Sequence, residues 1–263
     1  MKICLIGGGT MGEAIINCLL TKKVAKKEDI VVSDISQTRL DILSSKYGVH
    51  IQADSKKATE ETDLILLAVK PQNLKSVAKD IGNLSPNQLV LSIMAGTNLS
   101  TLHSNLNHPC IIRAMPNMPA QIGEGIIVWT ATVKVNRNQK NMAQTIFKAL
   151  GEEIYVDDEK YIDMATALSG SGPAYVFLFI EALTDAGVHI GLPRDTSQKL
   201  VMETIIGSTH TIQETSKHPA ELRNMVTSPG GTTTDALFFL EKGGFRSLLI
   251  EAVAAAYNKA RKL

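Results

Sequence analysis

Six residues near the amino terminus, Gly7-Gly8-Gly9-Thr10-Met11-Gly12, have the spacing of a turn that binds phosphate groups. They follow the apolar run Ile3–Ile6 and precede a helical pattern. In a G-x-G-x-x-G turn, Gly7 permits the tight bend, Gly9 lets the backbone approach a pyrophosphate, and Gly12 allows close helix–strand packing. The helix start adds free N–H groups and a positive dipole end. The context predicts a dinucleotide site formed by Gly7, Gly9, Thr10, Met11 and Gly12; a purely structural turn is the alternative.

Asp34 directly follows the second strand-like run, Ile30–Ser33, where an acidic side chain binds the ribose hydroxyls of NAD. A carboxylate there repels the 2′-phosphate of NADP, so the sequence favours NADH while leaving NADPH open. Arg39 is the nearby basic residue, and a solvated side chain is one interpretation of it. Asp34 also has an alternative role, as the N-terminal cap of the next helix.

Two later strand-like runs end in residues that should border the nicotinamide, because ligands bind beyond the carboxyl ends of such strands. The fourth run ends in Leu67-Ala-Val-Lys-Pro-Gln72 and the fifth in Ser92-Ile-Met-Ala-Gly96. Pro71 is also an ordinary signal for a helix start. The expected contacts at these ends are Ala68, Val69, Lys70, Pro71 and Ala95.

Strand-like and helical patterns alternate through the first 157 residues, which is typical of a doubly wound α/β domain. After Asp157 the patterns are helical, with prolines near the helix starts. The sequence therefore predicts a dinucleotide-binding Rossmann domain over residues 1–157 and an all-α domain over 158–263.

The helical domain is too apolar for its size. The segment 174–183 is apolar on all sides except at Glu181, and a helix that is hydrophobic all round must be buried all round. We therefore expect a second copy of the chain to cover it. A single central helix in a monomeric bundle is the alternative.

Composition argues against several classes of protein. The net charge is +1, with 27 basic and 26 acidic residues and no basic stripe, so no nucleic-acid partner is expected. The longest strongly apolar stretch, 175–180, is far shorter than the roughly 20 residues that span a membrane. No signal peptide pattern precedes the first strand, so a cytoplasmic protein is expected. The cysteines and histidines lack metal-ligand spacing, and no metal is expected.

Three further motifs complete a pattern that resembles a known family. They are Arg113-x-Met-Pro-Asn-x-Pro119, Leu168-Ser-Gly-Ser-Gly-Pro-Ala-Tyr175 and Ser228-Pro-Gly-Gly-Thr-Thr233. Together with Ala68-Val-Lys-Pro-Gln72, and in this order behind the glycine turn, they resemble pyrroline-5-carboxylate reductase. The resemblance extends over essentially the whole chain.

The resemblance implies reduction of 1-pyrroline-5-carboxylate to L-proline, the last step of proline biosynthesis. It implies a Rossmann domain, a helical dimerisation domain, and a homodimer that in some relatives forms rings of dimers. The substrate site would consist of Gly230, Gly231, Thr232 and Thr233, with Ser171 beside it. The N–H groups of Gly231 and Thr232 would bind the carboxylate. The Thr233 hydroxyl, the catalytic group, would hydrogen-bond the ring nitrogen, opposite the nicotinamide of the partner subunit.

The cofactor side departs from the family pattern at two places. Asp34-Ile35 stands where NADP-using relatives carry other pairs, and Asp54-Ser55 replaces Asp-Asn near the adenosine, although Ser55 is still expected there. Asn117 is expected to bind the cofactor. A 3-hydroxyacid dehydrogenase shares the layout of a Rossmann domain followed by helices, but its chemistry resembles a family that needs a catalytic lysine on the long helix after a glycine-rich turn. It is disfavoured because no lysine lies between Tyr161 and Gln198. A nucleotide sensor without turnover remains the non-enzymatic alternative.

Overall fold

Eight strands form a single sheet in the computed structural model, which describes residues 1–262. In chain order they are β1 (Ile3–Ile6), β2 (Ile30–Ser33), β3 (His50–Ile51), β4 (Leu64–Leu67), β5 (Leu89–Ser92), β6 (Ile111–Met115), β7 (Gly125–Ala131) and β8 (Gly151–Tyr155). Their spatial order is β3-β2-β1-β4-β5-β6-β7-β8. All neighbours are parallel except β6 and β7. The short connection between these two leaves no room for a crossover helix, which takes about a dozen residues.

Helices follow most strands and then continue alone after β8. They are α1 (Thr10–Thr21), α2 (Gln37–Tyr47), α3 (Ser55–Thr59), α4 (Leu74–Ile81), α5 (Leu99–Leu106), α6 (Arg137–Leu150), α7 (Lys160–Ala165), α8 (Gly172–His189), α9 (Arg194–Thr215), α10 (Pro219–Met225), α11 (Thr232–Lys242) and α12 (Phe245–Ala260). Short 3-10 turns cover Lys27–Asp29, Pro71–Asn73 and Met118–Ile122, and a π turn covers Thr166–Gly170.

The sheet has an apolar core on each face because successive side chains of a strand point to opposite sides. On β1, Ile3 and Leu5 join one cluster, which contains residues of α1, α2 and α6. Cys4 and Ile6 join the other, which contains residues of α3, α4 and α5. Strands buried on both faces explain the continuous apolar runs in the sequence.

The direction of winding reverses between β1 and β4, which are neighbours in the sheet. In open α/β sheets ligands bind outside the carboxyl ends of the strands at such a reversal. The glycine turn that follows β1 and the loop that follows β4 both lie at this edge.

By compactness the chain divides into two units. One is Met1–Pro173 together with the residues from Ala256 onward, and the other, here called the helical unit, is Ala174–Ala255. Only Thr184 and Ser197 are buried within the helical unit. The predicted fold class, an α/β domain followed by an all-α region, is confirmed. The boundary at residue 157 stays a prediction.

One long helix differs from expectation. Lys160–His189 runs through α7, the π turn and α8. The sequence has two helical patterns here, over 161–168 and 174–190, and so predicts two helices separated at the Ser-Gly-Ser-Gly-Pro motif. By length and composition this helix is apolar enough to cross a membrane. From the sequence, only the stretch 175–180 was compared with the length of a membrane span. The length of the continuous helix was therefore missed, because the segment was treated as two separate helices.

Candidate active site

The glycine turn joins β1 to α1 with no space for side chains at two positions. Gly7 has a φ of +103°, and a Cβ on it would lie 2.7 Å from the carbonyl oxygen of Ala68. A Cβ on Gly12 would lie 2.2 Å from the carbonyl oxygen of Gly7. Backbone atoms cause both clashes, so any side chain at either position would force the chain itself to move.

Gly9 is different because a Cβ there would meet nothing within 4 Å. Gly9 is the N-cap of α1, and no side chain caps the helix. The first-turn N–H groups of Thr10, Met11 and Gly12 have no partners inside the helix. Open space in front of these donors is the cradle that a pyrophosphate needs, so the turn fits the expected dinucleotide.

A cleft of about 380 Å³ opens beside this turn. Seven of the expected cofactor residues line it: Gly7, Gly9, Asp34, Ser55, Ala68, Val69 and Lys70. Sequence reasoning missed Ile35 and four residues of the Pro71–Ile81 region, which are Asn73, Ser76, Val77 and Asp80. Ile35 directly follows Asp34 and is 99 % exposed at this cleft.

Other expected contacts lie outside this cleft. Pro71 and Ala95 line a neighbouring cavity of about 620 Å³. Asn117 precedes the turn Met118–Ile122, and its Oδ1 accepts the Ile126 N–H at 3.0 Å. Asn117 therefore has a structural partner in the β6–β7 connection.

Asp34 binds the backbone of two loops. Its Oδ2 accepts the N–H of Gly8 at 2.7 Å, and its Oδ1 accepts the N–H of Ser36 at 2.8 Å. The alternative role as a helix cap is wrong, because Ser36 is the N-cap of α2. A carboxylate has about four acceptor sites, so these two bonds leave room for a ribose hydroxyl.

Arg39 is part of a charged cluster, and the interpretation as a solvated side chain is wrong. Its guanidinium donates to the carbonyl oxygen of Gly8 and to the carboxylate of Glu13. Lys46 Nζ and the Tyr47 hydroxyl donate to Glu13 Oε1 at 2.9 and 3.0 Å. Lys46, then Arg39, lower the pKa of Glu13 to about 2. The cluster fixes the glycine turn and α1 against α2.

Arg113 is almost fully buried on β6, with only 1 % of its surface exposed. Its Nη1 donates to Glu159 Oε1 at 2.8 Å, and its Nη2 donates to Asp163 Oδ1 at 2.6 Å. The motif around Arg113 was visible in the sequence, but nothing in the sequence identified the two acidic partners. The arrangement joins β6 to the beginning of α7.

The Leu168–Tyr175 motif lies within the long helix and does not start a new one. The N–H of Ser171 bonds the carbonyl of Thr166 at 2.8 Å, which closes the π turn. A Cβ on Gly170 would lie 3.1 Å from Met115 Cε, so β6 and the π turn are in close contact. Single π turns inside α-helices occur frequently at functional sites.

The Ser228–Thr233 motif lies at the start of α11, which begins at Thr232 with Gly231 as its N-cap. The helical pattern in the sequence covers only 235–241, so it predicts a later start, at Asp235. Gly230 has a φ of +67°. The Gly231 N–H and the Thr234 hydroxyl both donate to the Ser228 carbonyl, at 3.0 and 2.6 Å.

This geometry corrects one expected contact. The N–H of Gly231 is occupied by Ser228 and is not available to a substrate carboxylate. Among residues 1–262, the N–H groups of Thr232 and Thr233 and the Thr233 hydroxyl have no partner. Two free donors at a helix start suit an anion of carboxylate size.

Comparisons with known proteins cover both parts of the chain. A family model described as pyrroline-5-carboxylate reductase dimerisation matches residues 159–263. A second, described as NADP oxidoreductase coenzyme F420-dependent, matches residues 2–96.

Whole proteins match over nearly their full length. The pyrroline-5-carboxylate reductase of Synechocystis sp. is 43 % identical over 100 % of this chain and 98 % of that protein. A pyrroline-5-carboxylate reductase structure from Coxiella burnetii has a TM-score of 0.89 and 38 % identity, covering 99 % of this chain and 97 % of that one. A Plasmodium falciparum pyrroline carboxylate reductase structure with NADP bound has a TM-score of 0.92 and 33 % identity, covering 100 % and 97 %. This chain belongs to the pyrroline-5-carboxylate reductase family.

Proposed function

We propose that the protein reduces 1-pyrroline-5-carboxylate to L-proline with NAD(P)H, the last step of proline biosynthesis. The observation that carries the proposal is the set of three unpartnered groups at the start of α11, the N–H groups of Thr232 and Thr233 and the Thr233 hydroxyl. They match a substrate that carries a carboxylate next to a ring nitrogen. The full-length similarity to reductases of this family supports the same chemistry.

The substrate would bind through its two polar ends. Its carboxylate accepts the N–H groups of Thr232 and Thr233, while the turn at Gly230 and Gly231 gives the segment its shape. Its protonated imine nitrogen donates to the Thr233 hydroxyl, which keeps the catalytic role assigned to it. Ser171 is a further substrate contact.

The chemistry needs orientation more than acid–base catalysis. NAD(P)H, when bound, would supply a hydride to the imine carbon, so that the C=N⁺ bond would become the C–N single bond of the product amine. Because the imine is already protonated, Thr233 donates no proton and only holds the nitrogen in place. Orientation of this kind removes roughly 7–11 kcal/mol from a barrier in favourable cases.

The cofactor would lie along the carboxyl ends of the strands. Gly7, Gly9 and the first-turn N–H groups of Thr10, Met11 and Gly12 bind the pyrophosphate. Asp34 and Ser55 would face the adenosine, and Ala68, Val69, Lys70, Pro71 and Ala95 would border the nicotinamide. Asn117 would be a further cofactor contact. The preference for NADH over NADPH that Asp34 suggests stays a prediction.

The assembly would be a soluble cytoplasmic homodimer formed through the helical unit, with a ring of dimers as the larger form. Two observations support the dimer: the dimerisation-domain match over residues 159–263 and the apolar side chains that the helical unit leaves exposed. A partner chain covering Lys160–His189 accounts for that helix without a membrane. Each active site would combine the glycine turn of one chain with Thr233 of the other. Neither nucleic acid nor metal has a role in this proposal.

Replacing Thr233 with alanine tests the proposal. Steady-state oxidation of NADH and of NADPH is followed at 340 nm with pyrroline-5-carboxylate. Loss of a hydrogen bond to a charged group costs about 1.5–3 kcal/mol, so kcat/KM should fall roughly 10- to 150-fold in Thr233→Ala. The ratio of kcat/KM with NADH to kcat/KM with NADPH in the wild type tests the preference for NADH that Asp34 suggests.

Thr145→Ala is the matched control, because Thr145 is exposed on α6 and its hydroxyl bonds only the carbonyl of Asn141. It should retain wild-type activity. Dinucleotide binding by the wild type without turnover would contradict the reductase proposal and favour the nucleotide sensor.

A further inference from the structure

Arg113 is a buried cation that joins three segments of one unit. Besides bonding the Arg113 guanidinium, Glu159 Oε1 accepts the backbone N–H of Leu99 at 2.7 Å. Leu99 is the first residue of α5, and Glu159 immediately precedes α7. One guanidinium therefore sets the spacing between β6, the start of α5 and the start of α7.

Each of these segments leads into residues at the reacting end of the proposed site. The loop before α5 contains Ala95. α7 continues without a break into the π turn and Ser171. Met115, on β6 with Arg113, touches the π turn at Gly170. Within this unit the network is thus linked to the segments that carry Ala95, assigned to the nicotinamide, and Ser171, assigned to the substrate.

The guanidinium is shielded from water, whereas both carboxylates are partly exposed. The Arg113 side chain is 2 % exposed, and the Glu159 and Asp163 side chains are 30 % and 25 % exposed. A planar guanidinium bound through two nitrogens fixes direction as well as distance.

Stability alone is a weak explanation for this network. The Nε of Arg113 is buried without a hydrogen-bond partner among residues 1–262, which is itself unfavourable. Replacing buried ion pairs with apolar side chains of similar volume is often neutral or stabilising. A buried arginine with an unpaired donor, bonded to segments that carry Ala95 and Ser171, therefore indicates a role in placing those residues.

We propose that Arg113 is a positioning residue for imine reduction. Through Glu159 and Asp163 it holds the loop that contains Ala95 and the helix that carries Ser171 at the separation that hydride transfer requires. It touches neither substrate nor cofactor. This inference rests on the proposed function.

The test compares Arg113→Met and Arg113→Lys with the wild type, using NADPH and 4,4-dideuterated NADPH. Misplaced reactants slow the chemical step, so kcat in Arg113→Met should fall roughly 10- to 100-fold and the deuterium isotope effect on kcat should rise. The Kd for NADPH, measured by fluorescence, should stay within about twofold, because the glycine turn and Asp34 are on other strands. Arg113→Lys should be intermediate, since an ammonium cannot bind both carboxylates in the same fork.

A merely structural role predicts a different result. It would lower the folded fraction and Tm but leave the isotope effect of the folded enzyme unchanged, and that outcome overturns the proposal. If Arg113→Met does not fold, Asp163→Asn decides: a raised isotope effect supports the proposal and a wild-type value refutes it. Arg137→Met, at an exposed position on α6, is the control and should behave as wild type. A wild type without turnover means that the proposed function itself has failed.

Discussion

Gly9 and Gly12 belong to the same turn, yet a side chain would meet different surroundings at each. At Gly12 a Cβ collides with the backbone of Gly7, whereas at Gly9 it would project into open space. Gly12 is therefore required by the fold and Gly9 by the ligand. Two alanine substitutions can separate these requirements.

Gly9→Ala should weaken NADPH binding while leaving Tm nearly unchanged, because its methyl group occupies the space of the pyrophosphate. Gly12→Ala should lower the stability by about 1–3 kcal/mol, the usual cost of forcing extra atoms into a packed region. Isothermal titration calorimetry and thermal unfolding of both variants measure the two effects. Equal losses of Tm in both variants would contradict this separation.

Single residues differed in how far the sequence revealed their roles. The glycine turn was predictable because its function lies in the backbone and its spacing is local. The partners of Arg113 were not, because Glu159 and Asp163 are 46 and 50 residues away in the chain and meet it only in the folded sheet. The Gly231 N–H was assigned wrongly, since the bond to Ser228 depends on where α11 begins.

At the scale of elements, periodicity located strands and helices well. The predicted bounds of β1 and β2 match the structure, and the helical patterns over 74–81 and 99–106 match α4 and α5. Buried strands are continuous apolar runs, and amphipathic helices repeat with period 3.6, so both patterns are strong. Periodicity does not reveal how an element pairs with its neighbours in space, so the antiparallel direction of β7 was missed. The π turn was also missed, because Pro173 after two glycines reads as the start of a new helix.

His108 links two elements, since its Nε2 lies 2.7 Å from the carbonyl oxygen of Gln88 just before β5, and its own carbonyl contacts His103 of α5. Only 2 % of its surface is exposed. Burial lowers the pKa of His108 below its ordinary value of 6.5. Unfolded chains therefore bind a proton at this position at a higher pH than folded ones.

The free energy of unfolding should fall as the pH drops through 6.5, because there the unfolded state binds more protons. At higher pH the residue is neutral in both states and contributes no slope. Thermal unfolding between pH 7.5 and 5.5 should show a steeper loss of Tm in the wild type than in His108→Gln, which cannot titrate. His50→Gln, at an exposed position, should keep the wild-type slope; identical slopes in all three proteins would refute the assignment.

At the scale of the whole molecule, the helical unit presents apolar side chains outward. Leu178, Phe239 and Ile250 are 67 %, 69 % and 70 % exposed. Contiguous apolar patches that are exposed mark interaction surfaces. A second copy of the chain is the occupant that the dimerisation-domain match supports.

A charge on this surface should prevent association. Leu178→Asp should shift the mass measured by sedimentation from oligomer towards monomer and abolish turnover, because an unpaired carboxylate buried in an interface costs several kcal/mol. Val133→Asp is the control, at a position that is 98 % exposed outside the helical unit. An unchanged mass for Leu178→Asp would place the interface elsewhere.

Only Thr184 and Ser197 are buried in the helical unit of one chain, so in the proposed dimer most of its apolar side chains become buried only when two chains meet. Folding is then completed in a bimolecular step, whose rate depends on the square of the chain concentration. By mass action, the folded fraction of each chain then depends on how many other chains are present. Halving the synthesis of the protein would reduce both the number of chains and the share of them that reach the native state. The capacity to make proline would thus fall more steeply than gene dosage.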